Sequence, residues 1–90
     1  MKKYLIEREI PGVHQLEGEA LKGAAATSNA ALAQLAPKVQ WVESFVTKDK
    51  TVCVYLAEDE AAVREHARLS GFPANRITEV TRIIDPTTAD

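Results

Sequence analysis

A single cysteine, Cys53, leaves the chain without any internal disulfide, and a lone thiol fits a reducing compartment. Glycine and proline number four each, too few for a loop-rich chain, and no repeat, linker or low-complexity tract divides it. No apolar run approaches the ~20 residues of a membrane-spanning helix. The N-terminus opens Met-Lys-Lys as a secretory leader would. Its apolar run, Tyr4-Leu5-Ile6, stops at Glu7, far too short for such a leader, so a cytoplasmic protein is expected. Positive charge is not in excess: the net charge of −2 offers no field for nucleic acid or an anionic membrane. A paired CxxC, an HExxH, a glycine-rich phosphate loop and a serine elbow are all missing, which excludes a closed structural zinc site and the commoner nucleotide and hydrolase chemistries. What remains is 90 residues, 46% apolar and 27% charged, the profile of one globular domain spanning residues 1–90.

Aromatics make up only 6% of the chain, and most of them fall between Val39 and Leu56. That stretch, VQWVESFVTKDKTVCVYL, holds two β-prone runs around a charged break and predicts a β-hairpin. Alternation sorts it into two faces. Val42, Ser44 and Val46 with Val52, Val54 and Leu56 form the aliphatic set, expected in the core. Trp41, Glu43 and Phe45 with Thr51, Cys53 and Tyr55 form the set expected to stay uncovered and to carry any function.

Around the hairpin the remaining elements follow. Lys3 to Ile10 predicts a strand closed by Pro11-Gly12; of its two registers the more apolar turns Tyr4, Ile6 and Ile10 coreward, Arg8 with them, and Leu5, Glu7 and Glu9 outward. Leu21, Ala25, Ser28, Leu32 and Leu35 repeat at helical spacing within Leu16 to Ala36, and Pro37 ends that helix. A second helix starts at the N-cap Asp59, stops at Ser70-Gly71, and places Val63 and Ala67 inward with His66 beside them. Ile77 to Ile84 predicts the last strand, and residues 87–90 a frayed tail. Strand, helix, hairpin, helix, strand is the order of the ferredoxin-like α+β fold, βαββαβ, a four-stranded antiparallel sheet with both helices on one face. An open face bearing Trp41, Phe45 and Tyr55 calls for a second copy, so a homodimer is expected.

Glu7 and Glu43 on that face, near Cys53 and Tyr55 and joined by Glu79 if the last strand turns Ile77, Glu79, Thr81 and Ile83 there, could serve as metal ligands or a general base if a partner subunit desolvated them. The plainer reading makes them rim residues paired with arginines. His66 could complete an oxygen–nitrogen set suited to nickel, copper or zinc, or be a hydrogen-bonded packing residue. His14 is a loop residue, and Cys53 most simply a small buried hydrophobe. Sheet aromatics can stack bases, but the basic signature is absent and glutamates would repel phosphate, so no nucleic-acid partner is expected.

Trp41 with Glu43-Ser44, the Asp49-Lys50 break with Cys53 and Tyr55, Glu65-His66-Ala67, Gly71-Phe72-Pro73-Ala74, Ile77-Thr78-Glu79-Val80 and Ile84-Asp85-Pro86, together with Tyr4 to Gly12, form a recognisable pattern. It resembles a small bacterial family of unknown function that includes a nickel-binding ferredoxin-like protein, and it covers nearly all the chain outside the first helix. The resemblance implies a dimer able to bind nickel and no established catalysis. His66, Glu43, Glu7 and Glu79 are nominated as ligands on their chemistry. Three functions stay open: a metal-binding protein of a buffering or responsive kind, a cofactor-free dimeric α+β barrel enzyme, and a structural dimer without ligand.

Overall fold

A computed structural model describes residues 1–90. The β-prone runs form β1 (Lys2–Glu9), β2 (Val39–Val46), β3 (Lys50–Ala57) and β4 (Arg76–Val80), and the two helical patterns form α1 (Glu19–Leu35) and α2 (Glu60–Ser70). The strands make one antiparallel sheet in the order β2-β3-β1-β4, so the first strand lies inside the sheet and β2 and β4 form its edges. Both helices lie on one face and on each other. This is the ferredoxin-like arrangement expected from the element order.

Local chemistry sets the boundaries. Asp59 accepts from Ala62 N–H at 2.9 Å and caps α2. At the other end Gly71 takes φ +77° and its N–H reaches Ala67 O at 3.0 Å. α1 begins at Glu19, after Gly18, rather than at Leu16. β4 ends at Val80, short of the expected Ile84, where its pairing with β1 stops at Lys3 and only Lys2 and Met1 precede that residue. Ile83 and Ile84 are exposed as a result. Pro86–Ala89 form one 3₁₀ turn capped by Asp85, with every residue exposed.

Residues opposite one another across an antiparallel pair share a face. Tyr4 opposes Tyr55 and Ile6 opposes Cys53, and all four are buried beneath the helices with Val39, Ala57 and Val63. The expected assignment of the hairpin faces is therefore reversed. Tyr55 (2% exposed), Cys53 and half-buried Trp41 belong to the helix-covered side, while Val52, Val54 and Leu56 face outward with Leu5. A β-bulge explains why strict alternation also mixed the β2 residues. Trp41 opposes Tyr55 but Glu43 opposes Val54, so Val42 is the extra residue and everything after it changes sides. Ser44 and Val46 turn toward the helices, and Glu43 and Phe45 toward the open face.

Candidate functional site

β1 alternation turns Arg8 inward, as its register predicts, and strand pairing sets it across from Thr51, four residues before Tyr55 on the same face of β3. Val63 and His66 sit three apart on α2 and share the face that meets the sheet. Ser28 lies in the apolar stripe of α1 and is 3% exposed. These placements converge into one buried polar chain. Ser28 Oγ is 3.2 Å from Tyr55 Oη and 3.2 Å from His66 Nε2. The imidazole leans on the Tyr55 ring, centroids 5.0 Å apart.

Arg8 closes the group from the other side. Its Nη1 donates to Pro73 O at 2.8 Å and to Phe72 O at 3.5 Å, the carbonyls that follow α2. Its guanidinium carbon lies 6.0 Å from the Tyr55 centroid and 5.8 Å from that of Phe72. Nη2 of Arg8 and Nδ1 of His66 are buried without a partner. Burial holds the His66 pKa below its usual value, and the Arg8 charge lowers it further, so the ring is neutral near pH 7. Burial raises that of Tyr55, against the opposing effects of Ser28 and Arg8. Between α1 and the sheet, Arg8, Ser28 and Tyr55 help line a cleft of about 550 Å³, with Leu21, Ala25 and Trp41 among its apolar walls. That volume suits a small organic molecule.

The nominated ligands lie apart from one another. His66 is fully buried among Ser28, Tyr55 and α2. Glu7 is on the open face, bonded to Lys50 at 3.0 Å with Arg76 at 3.9 Å. The Lys50 contact above all holds its pKa below the ordinary carboxylate value. Glu43 shares the open face but sits opposite Val54, whereas Glu7 sits opposite Val52, two strands across and two residues along, roughly 12 Å away. Glu79 opposes Tyr4 on the helix side of the edge strand, not on the open face, and lies 3.8 Å from Lys2 in a depression also lined by Lys3 and Arg82. His14 Nδ1 rests 2.8 Å from Lys48 O in the loop region. Cys53 Sγ is buried, 3.6 Å from Thr51 Oγ1. No group of three His, Cys, Asp or Glu side chains converges as a metal chelate would require.

The family model described as "Nickel responsive protein SCO4226-like" matches residues 4–80. The chain belongs to that family. No curated protein matches the chain. The crystal structure of SCO4226 from Streptomyces coelicolor A3(2) aligns with a TM-score of 0.75 at 17% identity, over 91% of this chain and 99% of that one. At that identity the likeness speaks for the fold. The family is thus one of proteins described as nickel-responsive, and this member does not offer nickel a closed ligand set within a single chain: His66 is walled off beside a cation, while Glu7 and Glu79 already have cationic neighbours.

The residues that the sequence reading missed are Ser28 and Arg8 as parts of one network. A signal was present for each. Ser28 is the one polar member of an otherwise apolar helical stripe, and Arg8 is a charge in a coreward register.

Proposed function

We propose that the protein binds nickel as a homodimer in the cytoplasm, in a buffering or responsive role without catalysis, and that carboxylates on the open sheet face of two copies supply the ligands. Membership of a family described as nickel-responsive carries the reading. Two features support the location. The open face presents Leu5, Val52, Leu56 and the exposed Phe45, an apolar strip with no cover from its own chain. Glu7 and Glu43 share that face, so two copies joined there supply up to four carboxylates, where one chain supplies two. Glu43 forms no ion pair and is free to ligate; Glu7 must first leave Lys50. Oxygen-rich sites hold nickel modestly, which suits a protein that takes up and releases it.

Calorimetric titration of untagged protein at neutral pH tests this. Saturable nickel binding is expected, weakened several-fold by Glu43→Gln and less by Glu7→Gln, and unchanged by His66→Gln. Carboxylate ligation keeps binding at pH 5.5, where imidazole, with an unperturbed pKa of about 6.5, would be protonated and lose the metal. No saturable heat together with no thermal stabilisation by excess nickel overturns nickel binding. Binding that survives Glu43→Gln but disappears in His66→Gln overturns the site alone.

A further inference from the structure

Arg8 is 2% exposed and has no carboxylate partner. A buried cation without a counter-charge is costly. The Phe72 and Pro73 carbonyls and two ring faces stabilise part of it, but Nη2 keeps no acceptor. Arg8 is also the only cation lining the cleft between α1 and the sheet, and the one acid there, Glu9, is exposed at the rim and forms no ion pair. The Ser28 and Tyr55 hydroxyls, which line the same cleft, add donor capacity. Ser44 and Thr51 also line it, and the remaining walls are apolar.

We propose that this cleft binds a small apolar molecule carrying one carboxylate, held by Arg8 Nη2 and the Ser28–Tyr55 hydroxyl pair, with its apolar body along Leu21, Ala25 and Trp41. Charge complementarity selects the carboxylate: it supplies the missing counter-charge and can accept from the guanidinium in fork geometry. α1 has only Ser28 and Ala31 buried, so it is the element that can yield to admit the molecule. The site stands apart from the open face and does not depend on nickel.

Trp41, the only tryptophan, lines the cleft and supplies the readout. Octanoate and octan-1-ol are titrated into the full chain by fluorescence and in parallel by thermal melting. Octanoate is expected to give a saturable Trp41 change and a raised Tm, with octan-1-ol weaker by roughly tenfold or more, as loss of a charge-assisted bond implies. Arg8→Met should bring octanoate down to the level of the alcohol. Ala25→Phe should abolish binding of both by filling the cleft, and it keeps the test decisive if Arg8→Met fails to fold. The proposal is overturned if neither probe saturates, if the alcohol binds as tightly as the acid, if folded Arg8→Met retains the preference, or if folded Ala25→Phe still binds.

Discussion

A protonated His66 would carry charge into a site already holding Arg8 and would present a buried Nδ1–H with nothing to accept it. Folding therefore favours the neutral ring and depresses its pKa. The sign follows from linkage: below the unfolded value of about 6.5 the unfolded chain binds a proton that the folded chain refuses. This contribution is intact at neutral pH and is lost as pH falls from about 6.5 toward the folded pKa. Denaturant melts at pH 7.5 and pH 5.5 should show the wild type losing stability on acidification. His66→Gln, which can still bond Ser28 but does not titrate, should lose clearly less. An equal loss in both proteins would show that another group governs the slope. Glu7, its pKa depressed mainly by Lys50, keeps its contribution until the pH falls into the ordinary carboxylate range and does not confuse this window. His66 was legible as a packing residue, since a lone histidine on an inward helical face normally is one. Its partners were not, because Ser28 and Tyr55 lie 38 and 11 residues before it, and only the folded chain brings them together.

α2 shows how far local signals reach. Asp59 and Gly71 announced both ends of the helix, and both act as read. Asp59→Ala should cost about 1 kcal/mol through the lost cap. Gly71→Ala should cost about 1 kcal/mol or slightly more, because φ +77° is strained for any residue with a Cβ. The two sites are separated by a helix roughly 16 Å long, so the losses should add in the double variant. Urea unfolding of the three variants measures this, and marked non-additivity would show that α2 unfolds apart from the sheet. The hairpin was legible as an element and illegible as a surface. A bulge has no dependable sequence mark when the extra residue is an ordinary Val42 between strand formers. An aliphatic set also looks like a core when the real core uses Tyr55, Arg8 and His66.

At the scale of the whole molecule the proposed dimer rests on the open face. Phe45 is 54% exposed there, and pairing with a second copy should bury it. Sedimentation at micromolar concentration should give a dimer mass, and Phe45→Glu, which places a charge in the seam, should give a monomer. A wild-type monomer would remove the two-chain nickel site as well. The fold class was legible in full, because element order follows from periodicity and breakers and does not depend on which face is buried. The sheet order has a consequence for synthesis. β1 leaves the ribosome first, yet its neighbours are β3 and β4, and the second of these ends at Val80. At translation rates of about 5–20 residues per second, the interval from Glu9 to Val80 is roughly 4–14 s. For that time at least one edge of the β-prone segment Tyr4, Leu5 and Ile6 lacks its partner strand. Lys2, Lys3, Glu7, Arg8 and Glu9 bracket them, charges that discourage pairing with other nascent chains. Arg8 thus serves twice, guarding the strand before the sheet closes and tying down the Phe72–Pro73 carbonyls afterwards.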